Sequence, residues 1–111
     1  MSEDEPHASQ AVEFEDYPEQ TFRGRVVTHP VMAISDNHGA VTRFKFEYEE
    51  DGQTIKREVG AYGVDLARHA CSVTAIGQEV TIIGRYYIRV RQKPGGKKHF
   101  HKIIKAAEIR T

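Results

Sequence analysis

The sequence has a single cysteine, Cys71, and no tryptophan. One thiol cannot form a disulfide within the chain, so the fold must be stable without covalent cross-links, which is typical of proteins in a reducing compartment. The sequence also lacks the basic start and apolar core of a signal peptide, and no apolar run approaches the roughly 20 residues that span a membrane. We therefore expect a cytoplasmic protein without a membrane-spanning segment.

Lys and Arg are absent from residues 1–20, which contain seven acidic side chains. Since the whole chain has 16 basic and 16 acidic residues, residues 21–111 contain all 16 bases and the remaining nine acids, a net charge of +7. An acidic, proline-containing segment with few apolar residues buries too little surface to offset its loss of conformational entropy. The sequence predicts a disordered leader at residues 1–20 and one folded domain at residues 21–111.

From Thr21 onward, short segments of alternating polar and apolar residues predict five strands. The first strand, TFRGRVVTHPVMAI, is expected to bend at the His29–Pro30 pair, and the second, TRFKFEY, places Phe44 and Phe46 on its core face. Apolar residues at helical spacing in GVDLARHACSVTAIG predict a helix between strands 3 and 4 that ends at Gly77, with Val64, Ala67, Ala70, Cys71 and Val73 on one face. This order predicts an all-β protein, a five-stranded antiparallel OB-fold barrel with one short helix.

Acidic residues are absent from residues 84–102, GRYYIRVRQKPGGKKHFHK, which contain seven Lys or Arg and three aromatic residues. Alternation along this strand turns Tyr86 toward the core and turns Arg85, Tyr87 and Arg89 to the opposite face. Bases of a single strand stack on aromatic rings and Arg planes, while cations neutralise its phosphates. For any single residue the alternative is a solvated face, because Lys and Arg also protect sheet edges from aggregation.

The candidate nucleic-acid-binding residues are basic or aromatic and lie on or beside this hairpin. Tyr62 fits either a core position or a stacking ring, and the face of Phe100 stays undecided. The full set is Arg85, Tyr87, Arg89, Arg91, Lys93, Lys97 and Lys98, together with Arg43, Lys45, Tyr62, Phe100, Lys102 and Lys105.

His99 and His101 share one strand face, which suggests a metal site completed by His69 or Cys71. The chain has no CxxC pair to support that interpretation, so we expect no metal and no cofactor. A nucleophile-and-base motif, a phosphate-binding loop and a pair of acids in a cleft are all missing as well. We do not expect an enzyme.

The order of FRGRVVTHPV, GAVTRFKFEY, the segment from VGAYG to YYIRVR, and KIIKAAEI resembles the bacterial single-stranded-DNA-binding protein family over about residues 22–109. The resemblance implies an OB fold that binds single-stranded DNA without sequence preference in replication, repair or recombination. It also implies a homo-oligomer of two or four chains and a nucleoid-associated location in the cytoplasm.

Two departures from the family pattern change these expectations. Without tryptophan, Tyr62, Tyr87 and Phe100 must stack the bases, and Arg91 stands where the family often has an aromatic residue. The sequence ends at Thr111 without the acidic C-terminal tail through which many members recruit replication and repair proteins. In this respect it is similar to the primosomal accessory protein, a dimeric relative that also lacks the tail.

Three interpretations remain open at the level of sequence. The first is single-stranded DNA binding; the second is RNA binding, since a stacking groove accepts either sugar. The third is an OB-fold interaction module, of the primosomal type, that binds an acidic protein. The acidic leader adds a separate hypothesis, that it folds back on the basic groove and competes with DNA.

Overall fold

The computed structural model describes residues 9–12, 17–92 and 94–111. None of the helical structure in these ranges is long and apolar enough to cross a membrane. The elements are β1 (Ser9–Val12), β2 (Gln20–Val26), β3 (Val31–Ser35), β4 (Gly39–Glu50), β5 (Gln53–Tyr62), α1 (Val64–Val73), β6 (Glu79–Gln92) and β7 (Lys98–Arg110).

The strands form one mixed sheet. β6 pairs with β1, β2 and β7, β4 pairs with β2, β3 and β5, and these pairings are antiparallel, whereas β5 and β7 pair in parallel. The prediction of an all-β fold with one short helix is confirmed. The predicted count of five strands, all antiparallel, is not confirmed, because the described residues form seven strands and one pairing is parallel.

The difference in strand count has two local causes. The predicted first strand is interrupted at His29–Pro30, where proline has no N–H to give to a ladder, and it therefore appears as β2 and β3. β1 is the other additional strand, and it lies within the segment predicted to be disordered; residues 1–8 and 13–16 of that segment lie outside the described residues. The division of the chain into leader and domain stays a prediction.

The core is formed by the inward-facing side chains of the sheet. They alternate along each strand with outward-facing ones, as the sequence predicts. Phe44 is 2% exposed, Phe46 is fully buried and Tyr86 is 6% exposed, so all three predicted core positions are confirmed. Burial of an apolar side chain of this size stabilises the fold by about 1.5–3 kcal/mol. The core of β6 continues with Val80 and Ile82, which pack with these rings.

Helix α1 packs against β4, β5, β3 and β7. Only its small side chains, Ala67 and Ala70, are fully buried, and the hydroxyl of Thr42 donates a 2.7 Å hydrogen bond to the carbonyl of Ala67. The prediction that Val64 and Cys71 belong to the buried face is wrong, since both are exposed. The packed face of the helix is instead formed by Ala67 and Ala70 with the partly buried Leu66 and Val73, and the helix ends at Val73, four residues before the predicted end at Gly77.

The β6–β7 hairpin extends beyond its neighbours. β2 pairs with β6 only over residues 79–84, and β5 pairs with β7 only around residues 104–105. The remaining part, residues 88–92 and 94–102, pairs within itself and, along residues 88–91, with β1. We call this part the arm; the predicted basic segment therefore forms a projecting two-stranded structure with β1 beside it.

Candidate nucleic-acid interface

The side of β4, β5, β7 and β6 that faces away from the core, which we call the outer face, gathers most of the predicted binding residues. The pairing register places Arg85 opposite Lys105 and Tyr87 opposite Ile103. It also places Arg43 opposite Gly60. Strand alternation and register therefore bring side chains from four strands onto one surface.

An aromatic pair lies on the outer face. The ring centroids of Tyr62 and Tyr87 are 6.1 Å apart, and the ring of His38 meets that of Tyr62 edge-on at 4.9 Å. The ammonium of Lys105 lies 5.4 Å from the ring centre of Tyr87 and 5.9 Å from that of Tyr62. A ring and a cation at this spacing are the two components needed to hold a base and its phosphate.

The ring of Tyr62 owes its position to Gly60. A Cβ at Gly60 would lie 2.7 Å from a ring carbon of Tyr62, so the ring lies over a place where any other residue would have a side chain. Tyr62 is half-buried there, whereas Tyr87 is only 5% exposed. Tyr62 therefore presents the larger ring surface, and Tyr87 supports it from the side.

Two of the predicted cations share one acidic partner. Glu58 Oε2 lies 3.4 Å from Arg43 Nε and 3.2 Å from an Nη of Arg89. These distances are those of ion pairs, yet Arg43 Nε, Arg89 Nε and Glu58 Oε2 are buried without a hydrogen-bond partner, because the angles are unfavourable. Glu58 is not among the candidate residues predicted from the sequence, although alternation in TIKREVGAY places it on the same face as Tyr62.

Lys102 lies on the opposite side of the hairpin. Its ammonium is 4.1 Å from the ring centre of Tyr86 and 5.4 Å from that of Tyr17. The guanidinium of Arg57 donates a 3.1 Å hydrogen bond to the backbone carbonyl of Lys102 and lies 5.5 Å from the ring centre of Tyr86. Here the cations cover a core tyrosine.

A tyrosine network stabilises this side. The hydroxyls of Tyr48 and Tyr86 are 2.8 Å apart, and the Nε of Arg57 donates a 3.1 Å hydrogen bond to the Tyr48 hydroxyl. Burial, followed by the hydrogen bond with Tyr48, raises the pKa of Tyr86 well above its usual value. Tyr86 is therefore a neutral structural residue at the base of the arm.

The predicted residues thus occupy several places. Lys97 and Lys98 are exposed at the tip of the arm, and Phe100, which is 66% exposed, shares the side of Lys102 by register. The backbone of Arg91 pairs with Ser9 and His99, and Lys93 lies outside the described residues. The outer face carries Arg43, Lys45, Tyr62, Arg85, Tyr87, Arg89 and Lys105.

The candidate metal ligands His99, His101, His69 and Cys71 do not come together in the structure. Within the described ranges, no three His, Cys, Asp or Glu side chains lie close enough together to hold a metal ion. His69 Nε2 instead lies 3.0 Å from the carbonyl oxygen of Ile109, which ties α1 to β7.

An open groove of about 630 Å³ lies elsewhere, between β2, β4, β5 and the start of β6. It mixes Arg23 and Arg25 with Glu47, Glu49 and Glu79. A mixed-charge wall suits a phosphate backbone poorly, so we place the candidate interface on the outer face and the arm.

No protein family and no curated protein matches the chain. Solved structures do. A small single-stranded DNA-binding protein from Streptomyces coelicolor is 26% identical, with a TM-score of 0.67 over 85% of this chain and 93% of that chain. A mitochondrial single-stranded DNA-binding protein from S. cerevisiae is 15% identical, with a TM-score of 0.66 over 86% and 94%.

The SSB domain of a protein from Synechococcus sp. is 14% identical, with a TM-score of 0.66 over 84% of this chain and 93% of that chain. The structural neighbours of this chain are therefore OB-fold single-stranded-DNA-binding proteins, and they are binding proteins rather than enzymes.

Proposed function

We propose that this protein binds single-stranded DNA with little sequence preference, in replication, repair or recombination, and catalyses no reaction. The observation that carries the proposal is the ring of Tyr62, which lies over Gly60 on a surface shared with Lys105, 5.9 Å away. The similarity to the Streptomyces coelicolor protein, which is described as binding single-stranded DNA, supports it.

The outer face suits a single strand better than a duplex. A base must leave the stack to lie on Tyr62, and a single strand offers free base faces while a duplex hides them. Lys105 and Arg85 are paired in register and lie where the phosphates of such a strand would need cations. Because every base has a π-face, stacking of this kind selects little for sequence.

The arm extends the proposed path. From Tyr62 the bound nucleic acid would cross β7 and β6 and reach Lys97 and Lys98, which are exposed at the tip of the arm. Phe100 is exposed on the other side of the arm, with Lys102, and becomes a second stacking ring only if the nucleic acid turns around the tip. The thirteen candidate residues remain predictions, and the contribution of Arg43 and Arg89 depends on Glu58.

We further propose that five strands form an OB barrel. Pairings lead from β2 through β4, β5, β7 and β6 back to β2, which supports this arrangement. β1 and β3 are then additions to the barrel. The parallel β5–β7 pairing joins its two ends.

We also propose that the chain forms a homo-oligomer of two or four copies. β3 has no charged side chain and leaves Val31 and Ile34 exposed at 64% and 90%, an unprotected apolar strand of the kind that monomers usually avoid. Light scattering of the purified protein should give two or four times the chain mass, and Ile34→Lys should lower it. If the unsubstituted protein has the mass of a single chain, this part of the proposal is contradicted.

Fluorescence anisotropy tests the function. We expect tight, salt-sensitive binding to labelled oligothymidine of about 15 and 35 nucleotides, and much weaker binding to a duplex of matched length. Lys105→Ala should weaken binding, whereas the control Arg68→Ala, which removes an exposed cation from α1, should not.

Four outcomes would change the proposal. Equal affinity for single strand and duplex would contradict the proposal, and so would no binding to either. Preference for oligouridine over oligothymidine would point to RNA as the natural ligand. Weak, length-independent binding together with capture of an acidic protein would favour an interaction module.

A further inference from the structure

Glu58 occupies the middle of the outer face. It lies on β5, and its Oε2 atom contacts Arg43 on β4 at 3.4 Å and Arg89 on β6 at 3.2 Å. Since β7 lies between β5 and β6, the side chain of Arg89 crosses β7 to reach Glu58. One carboxylate therefore links three of the strands that carry the candidate binding residues.

The cluster has more donors than acceptors. Two guanidinium groups offer ten N–H donors, and Glu58 is their one acidic partner in the described contacts. The Nε atoms of both arginines make no hydrogen bond. A phosphate oxygen accepts guanidinium hydrogen bonds with good geometry, so it competes well against an ion pair that lacks such geometry.

The two arginines differ in how free they are to change partner. The side chain of Arg89 is 13% exposed, whereas that of Arg43 is 40% exposed and makes the longer contact. Moving Arg89 toward a ligand would uncover buried surface, whereas Arg43 already faces solvent. Arg43 is therefore the guanidinium that an incoming phosphate reaches.

We propose that Glu58 limits the affinity of the outer face for single-stranded nucleic acid, and that Arg43 exchanges Glu58 for a phosphate when a strand binds. This inference rests on the proposed function. Arg89 remains on Glu58 and keeps the carboxylate neutralised after Arg43 has left. Glu58 does not touch the nucleic acid; it is a positioning residue that acts through Arg43.

The proposal determines whether one substitution raises or lowers the affinity for a single strand. Glu58→Gln keeps the shape of the side chain and removes its charge, so the face gains one unit of positive charge. Because Arg43 then reaches a phosphate without first leaving a carboxylate, binding should be a few-fold tighter. Since Arg43 neutralises one phosphate in both proteins, the slope of log K against log salt should change little. Loss of a residue with a purely structural role would weaken binding instead.

The experiment compares full-length wild type with Glu58→Gln and with the control Glu79→Gln, using oligothymidine across a salt series. Glu79 is 82% exposed, pairs with Arg25 and starts β6 ten residues before Arg89, about 33 Å along the strand. We expect tighter binding for Glu58→Gln alone. An unchanged or weaker affinity, or the same change in both variants, would overturn the inference.

A second comparison tests the exchange itself. Without Arg89, Glu58 has only Arg43 as a described partner and holds it more firmly, so Glu58→Gln should tighten binding more in an Arg89→Ala background than in wild type. Without Arg43 the gain should disappear. An equal gain in all three backgrounds would overturn the exchange.

These results also separate the inference from the proposed function. Selective binding by wild type with no gain in Glu58→Gln overturns the inference and leaves the function in place. Failure of wild type and both variants to bind a single strand overturns both. If Glu58→Gln does not fold, Arg89→Ala decides, because a loss of affinity no larger than that of Arg68→Ala would overturn the inference.

Discussion

The two sides of the β6–β7 hairpin use the same residue types differently. On the core side, Lys102 and Arg57 lie against Tyr86 and help to bury it. On the outer face, Lys105 lies beside Tyr62, a half-buried ring that has no position in the core. A cation near an aromatic ring can therefore be part of the fold on one side of a strand and a candidate ligand group on the other.

The largest expected effect is a loss of stability, and it follows from a substitution on the core side of the hairpin. Tyr86→Ala removes a buried ring and the hydroxyl that bonds to Tyr48, so the free energy of unfolding should fall by about 3–5 kcal/mol. Urea denaturation followed by circular dichroism measures it. A loss below about 1 kcal/mol would show that the ring is not the anchor of the hairpin.

The next effect concerns the outer face. Tyr62→Ala should weaken binding to oligothymidine by about 1–3 kcal/mol, because one stacked base loses its platform. Tyr62→Phe keeps the ring and serves as the matched control, with affinity close to wild type. Equal losses in both variants would mean that the hydroxyl, rather than the ring, contributes to binding.

A paired comparison of two lysines sharpens the contrast between the sides. Lys105→Ala should reduce the slope of log K against log salt by about 0.7. Lys102→Ala should leave more of the slope intact and lower the free energy of unfolding by about 0.5–1 kcal/mol, since it removes a cation from the face of Tyr86. Equal slope changes would indicate that the nucleic acid contacts both sides of the arm.

The smallest expected effect concerns the leader. β1 pairs with residues 88–91 of the arm, and residues 1–16 contain six acidic residues and no Lys or Arg, so their deletion should tighten binding a few-fold at low salt. Tyr17 is retained, because its ring packs against Tyr86 at 5.9 Å. Unchanged affinity at about 50 mM salt would remove the leader from the binding mechanism.

The alternation of polar and apolar residues predicted the features that are determined within a single strand or turn. The core positions of Phe44, Phe46 and Tyr86 follow from period-two patterns, and the Asp51–Gly52 turn, where both residues have positive φ, follows from the preference of two-residue hairpins. The order of strands and helix was predictable for the same reason.

What alternation could not predict depends on neighbours from distant parts of the chain. The partnership of Glu58 with Arg43 and Arg89 requires β5, β4 and β6 to be aligned, and a count of charges in residues 84–102 leaves Glu58 outside. The burial of Tyr87 arises from contacts on the outer face, since Ile103 opposite it is also buried. β1 was missed because it is only four residues long and pairs with residues 88–91, a distant part of the chain that a local pattern does not reveal.

Gly60 has a consequence for anyone who wishes to adjust this protein. The tilt of the Tyr62 ring depends on the lack of a side chain at position 60. A methyl group there would lie only 2.7 Å from the ring and would displace it. A substitution at position 60 would therefore change the angle at which a flat ligand stacks on the ring, without altering any charge, hydrogen bond or aromatic group on the surface.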